Sequence, residues 1–129
     1  MDNSDVKDVS AIMQAISNHD KDEMKFSSSI AAIVVLADKS DISRDRVVVK
    51  TLKKINGDIH DKVNYATTRS ELKVNSRKKT IKLILRIDTK FVSIMEYFEI
   101  FISRMVYCSD AAKYLGYKFG IEINRIKLL

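Results

Sequence analysis

The side chains best suited to bond-making chemistry are few and far apart. His19 and His60 stand about forty residues from each other, and neither has a cysteine near it. Cys108 is the single cysteine, so it can form no internal disulfide and supplies neither a zinc cage nor a redox pair. The sequence contains no glycine-rich phosphate loop and no nucleophile motif. These residues imply no enzyme, no metal and no cofactor, and both histidines read as ordinary surface residues.

The cations are different, because they are grouped. The 129 residues carry 23 Lys and Arg against 17 Asp and Glu, a net charge of +6. Residues 1–42 sum to −4, residues 43–82 to +8 and residues 83–129 to +2. Surplus positive charge confined to forty residues is what an anionic partner requires, since phosphates are met by local cations and not by a basic total. Taken singly, a lysine-rich stretch reads as a solvated face.

The elements that must present these cations follow from periodicity. The chain has no Pro and only three Gly, and its apolar fraction of 46% suits one folded domain. So few helix breakers favour helices over an all-β sandwich or barrel. Val6, Val9, Ile12, Met13 and Ile16 mark a first helix over 4–18, with Asn3 or Ser4 as its cap. Phe26 to Ala37 predicts a buried second helix. Ser43 caps a third, Arg44 to Asn56, whose Val48, Leu52 and Ile55 repeat at helical spacing before Gly57 ends it.

Thr80 to Ile87 alternates and predicts a strand; its partner is either Ile59–Thr67 or Leu72–Val74, with the basic run Asn75–Lys79 at or near the hairpin tip. Asp88 or Thr89 caps a long final helix with Phe91, Ile94, Met95, Phe98, Phe101, Ile102, Met105 and Val106 on its apolar face. A shorter helix after Ser109-Asp110 is a further expectation. The tail 121–129 fits strand or helix.

Three helices, the second and third joined by a tight turn, followed by a hairpin, is the order of a winged helix-turn-helix. From Leu36 to Ile55 the residues resemble the helix-turn-helix of bacterial regulators. Ala37 stands at the helix crossing, Ile42 plugs the turn and Ser43 caps the recognition helix. Asp41 stands where the family most often has Gly, a substitution suited to a left-handed residue. With the hairpin, the chain is similar to small enterobacterial regulators of the CaiF/GrlA and PapI/FaeA types. About fifteen residues between Ile55 and Leu72 depart from that pattern.

The expected fold is therefore α+β and mainly helical: a three-helix winged core with a β-hairpin wing over 1–88, then a helical extension over 89–129 that covers the core or dimerises. The single cysteine suits a reducing, cytoplasmic setting, and the resemblance implies a regulator bound to double-stranded DNA. Ser43, Arg44, Arg46, Val49, Lys50, Lys53 and Lys54 would meet DNA from the third helix, with Arg44 and Arg46 best placed for base edges. Arg77, Lys78 and Lys79 would meet phosphates from the wing, as would Lys62, Arg69, Lys73 and Lys82. Tyr97, Phe98, Phe101 and Met105 are the candidate homodimer contacts. The alternative is a protein-interaction adaptor that keeps the winged scaffold without reading DNA, such as a secretion chaperone or a mobile-element factor. No apolar stretch is long enough for a membrane span, and no effector is implied.

Overall fold

In a computed structural model, residues 2–18, 26, 28–46 and 59–128 are described. The chain forms helix α1 (Asn3–Asn18), helix α2 (Ser29–Ser40), a 3-10 turn (Arg44–Arg46), helix α3 (Ile59–Ala66), strands β1 (Thr67–Asn75) and β2 (Thr80–Ile87), helix α4 (Ile94–Tyr114), and strands β3 (Lys118–Ile123) and β4 (Ile126–Lys127). The α+β expectation holds, with more helix than strand and a four-stranded sheet.

Local chemistry explains the helix ends. Asp2, not Asn3 or Ser4, caps α1: its carboxylate accepts from the amides of Ser4 (2.8 Å) and Asp5 (3.0 Å), and Asp5 returns a bond to the Asp2 amide. This reciprocal pair satisfies donors that the first helical turn leaves open. Ser28 caps α2 through the Ala31 amide, and Ser93 caps α4 through the Glu96 amide. Asp88, an expected cap of that last helix, instead closes a turn by accepting from the Lys90 amide. No second helix follows Ser109-Asp110. α4 runs on to Tyr114 and stops at Gly116, whose φ of +80° is a left-handed value that glycine adopts without penalty. The Gly116 and Tyr117 amides there donate to the Lys113 and Ala112 carbonyls, which closes the helix end.

The sheet order is β1-β2-β3-β4. β1 and β2 form the expected hairpin, with Asn75 opposite Thr80 and residues 76–79 as the tip. Of the two candidate partners for β2, the segment containing Leu72–Val74 is the strand, whereas 59–66 is helical. β3 then returns parallel to β2, with Leu83 beside Ile121 and Leu85 beside Ile123, and α4 makes the crossover. Parallel neighbours need such a long connection because their ends lie at opposite edges. The boundary expected at residue 88 therefore falls inside one sheet, and the stretch expected as a helical extension supplies two of its strands.

Alternation sorts the strands into two faces. Ile81, Leu83, Leu85 and Ile87 of β2 and Ile121 and Ile123 of β3 are buried under α4 and α2. The first half of α4 supplies Tyr97, Phe101 and Met105 to one core, which Ile42, Val63 and Val92 complete. Its second half presents Cys108, Ala111 and Ala112 to Ala32, Val35 and Leu36 of α2. Small residues there let the two helix backbones approach closely. Three of the four candidate dimer contacts, Tyr97, Phe101 and Met105, are thus core residues, and Phe98 is half-buried against them. The apolar face of α4 is wide because it covers a sheet and a helix at once.

Two polar devices lock this arrangement. The Tyr97 hydroxyl donates to Thr67 Oγ1 (2.8 Å), which in turn donates to the Val63 carbonyl (2.7 Å). This ties α4 to the α3–β1 junction with both hydroxyls satisfied. Asn124, at φ +50°, accepts from the Ile87 amide (2.8 Å) and donates to its carbonyl (3.1 Å). Its side chain extends the β2–β3 ladder where the backbone has turned away.

Candidate nucleic-acid interface

The open face of the sheet gathers the charge. By register, Lys73 of β1 stands opposite Lys82 of β2, which stands beside Gly120 of β3, while Arg69 stands opposite Arg86. Like charges directly opposite across two strands repel and cost about 0.2–1 kcal/mol per pair. Two such pairs in one hairpin are unfavourable for the fold alone. Glu71 offsets part of this, at 2.7 Å from Arg69 and 3.8 Å from Lys73, and Glu122 lies 3.9 Å from Lys82. The remaining charge is positive.

A groove of about 730 Å³ runs across this face, lined by Lys73, Lys78, Lys82, Lys118 and Lys127, with Glu122, Gly120 and the apolar Val74, Ile84 and Phe119 among them. It opens towards the hairpin tip, where Arg77, Lys78 and Lys79 are exposed. The tip has a defined shape. Asn75 Oδ1 accepts from the Lys78 amide (3.0 Å), Lys79 adopts φ +53°, and the Lys79 carbonyl accepts from the Lys118 amide (2.8 Å). The Lys79 ammonium sits 5.1 Å from the Tyr117 ring centre, an attraction that steadies it without neutralising it.

No aromatic ring stands on the open-face positions of the strands, which are Arg69, Glu71, Lys73 and Asn75, then Thr80, Lys82, Ile84 and Arg86, then Lys118, Gly120, Glu122 and Lys127. Readers of single strands stack bases on aromatic side chains. The groove itself has the Phe119 ring in its lining, and Tyr117 stands beside Lys79 at the tip.

The turn after α2 departs from the helix-turn-helix expectation. Asp41 has φ −78° and ψ +86°, so it is not left-handed, and the Ile42 amide donates to the Ser40 carbonyl (3.0 Å) in a tight three-residue turn. Ile42 is fully buried, as the plug of the turn requires, but Ala37 is exposed and marks no helix crossing. Ser43 Oγ accepts from the Asp45 amide (3.0 Å), a capping bond at the place expected.

Arg44 does not project outward. Its Nε donates to the Tyr65 carbonyl (2.7 Å), and its guanidinium lies 4.4 Å from the Tyr65 ring centre and 5.8 Å from that of Phe91. A guanidinium laid by the Tyr65 ring and bonded to the Tyr65 carbonyl, with Phe91 further off, is a packing element here, which corrects its assignment to base edges. Arg46 ends the 3-10 turn. Val49, Lys50, Lys53 and Lys54 lie outside the described residues, as does the body of the expected recognition helix. Lys62, expected among the phosphate cations, is paired with Glu96, whose carboxyl that bond holds below its ordinary range.

Sequence reasoning located the hairpin tip but missed Lys118 and Lys127. Their signal was the alternation of Lys118, Gly120 and Glu122 against Phe119, Ile121 and Ile123; without the parallel pairing to β2 it could not be assigned to this face. Among the described residues no group of three His, Cys, Asp or Glu could hold a metal ion, and no helix is long and apolar enough to cross a membrane. Comparison with family models, with curated proteins and with solved structures found no match to the chain.

Proposed function

We propose that this chain is a sequence-specific duplex-DNA-binding protein, a transcriptional regulator of winged-helix type. The segment 43–56 would enter the major groove, and the hairpin tip would lie on the flanking backbone. One observation carries the reading furthest: cations accumulate on one face against their own repulsion, with Lys73 opposite Lys82 and Arg69 opposite Arg86.

Protection of a sheet edge is the ordinary use of a strand lysine. It does not account for Lys82 and Lys118, which lie on the two interior strands of the sheet. Within the third-helix segment, Arg46 takes the base-reading role that Arg44 gives up to packing, and Lys78 of the tip takes a phosphate.

The test is a gel-shift on fragments of the source genome in physiological salt, with random duplex and single-stranded competitors. Arg46→Ala relaxes base preference, whereas Lys78→Ala weakens all sequences alike and lowers the salt slope by about 0.9. Equal losses on all sequences for both variants would overturn these roles. Retention of no fragment at all would favour the adaptor, in which the same cations meet an acidic protein surface.

A further inference from the structure

Helix α1 rests on α2 through the wrong side for its composition. Ala15 is buried and Ala11 half-buried, while Val6, Val9, Ile12, Met13 and Ile16 are between 44% and 62% exposed. An amphipathic helix normally buries such a stripe. At helical spacing the stripe and the Ala11–Ala15 contact point in clearly different directions, so among the described residues α1 packs on α2 by one side while its apolar side stays about half exposed.

We propose that this surface is a homodimer interface, in which α1 packs antiparallel against α1 of a second copy. Two features of the helix specify that occupant. First, Val6, Val9, Met13 and Ile16 are spaced 3, 4 and 3, the same read in either direction. A two-fold axis near residue 11 sets Val6 against the partner's Ile16 and Val9 against the partner's Met13, which is the self-complementarity an isologous contact needs. Second, the charges of α1 are confined to its first half, at Asp5, Lys7 and Asp8, with none from Val9 to Asn18. Antiparallel pairing lays each acidic end along the partner's uncharged end and opposes the two helix dipoles. Parallel pairing would stack Asp5 on Asp5.

The acidity of the same end disfavours the anionic alternatives, a nucleic acid or a membrane surface. Five half-exposed side chains offer roughly 250–300 Å² of apolar area per copy at the areas implied by aliphatic burial energies. This is about a third of the ~800 Å² that a stable partner buries, and so makes the centre of an interface of the weaker, micromolar kind. This replaces the α4 contact expected from sequence and is independent of the nucleic-acid reading.

Sedimentation velocity of the full chain at roughly 100 μM, well above a micromolar Kd, should give twice the 14.8 kDa chain mass. The variant V9D/M13D, altered only at exposed positions, should sediment as a monomer with an unchanged circular-dichroism melt. A monomeric parent chain, or a dimer that survives V9D/M13D, overturns the proposal. Cysteine variants test the direction without relying on a disruptive change, since the native thiol of Cys108 is buried. Oxidation of mixed Val9→Cys and Met13→Cys chains should yield the hetero-disulfide in preference to either homo-disulfide. Val6→Cys should not cross-link to itself, because antiparallel pairing parts the two positions by about 15 Å, twice what a disulfide spans. Ready self-linking of Val6→Cys would mean a parallel pair and would overturn the proposal.

Discussion

Replacing Lys82 with threonine separates binding from folding, because the two respond with opposite signs. Threonine keeps a β-branched side chain suited to an interior strand, so the change isolates the ammonium group. In the fold, Lys82 stands opposite Lys73 and reaches Glu122 only at 3.9 Å. Removing it relieves a like-charge pair of about 0.2–1 kcal/mol and loses an exposed ion pair of similar or smaller size. The net effect on stability is zero to about 0.5 kcal/mol in favour of the variant, too small to move Tm by more than ~2 °C for a chain of this length. In binding, one phosphate contact fewer lowers the slope of log K against log salt by about 0.9, which is about fivefold in affinity at 0.15 M salt. The assay is fluorescence anisotropy of a labelled duplex across a salt series, beside a urea titration of both proteins. Loss of more than about 1 kcal/mol of stability would show that Lys82 is a structural residue and refute the charge-accumulation argument. An unchanged salt slope would show that this face does not meet the backbone.

Burial raises both Tyr97 and Cys108, each to about 12, from 10.0 and 9.0. Both groups are neutral when protonated, so their contribution to stability is fully present below about pH 9 and is lost as pH rises towards 12, by an amount on the order of 3 kcal/mol for Tyr97 alone. A thermal melt series from pH 7 to 12 should show the loss. Tyr97→Phe should cost about 1 kcal/mol at neutral pH, the net worth of one buried hydrogen bond, and should remove the tyrosine part of the alkaline slope. Asn124→Ala should cost about 2 kcal/mol in urea titration, since it strands the amide and carbonyl of Ile87. Gly116→Ala should cost about 1 kcal/mol by the same measurement; an added Cβ meets nothing within 4 Å there, so the penalty comes from the positive φ alone.

Some of this protein was determined by sequence alone, wherever the deciding interactions are local. The strand Thr80–Ile87 and the basic tip before it follow from alternation and from a run of turn-compatible residues, and both stand where expected. The first and last long helices follow from apolar spacing, with errors of a few residues at the caps, because Asp2 and Ser93 compete with equally plausible neighbours for the same amides. Ile42 was legible as a buried plug because a lone apolar residue in a polar break has to go inward.

Tertiary structure alone decided which apolar residues face which partner. Tyr97, Phe101 and Met105 and the α1 stripe look alike in a periodicity plot, yet one set fills the core and the other is exposed. Burial is a property of the neighbours that arrive and not of the helix itself. Arg44 changed from a reader to a packing residue because Tyr65 and Phe91, distant in sequence, close on it. The tail became a strand only through β2, a partner some forty residues earlier that α4 carries it back to. That pairing brings Lys118 and Lys127 beside Lys73 and Lys82, and it turns a regional excess of charge into a single face.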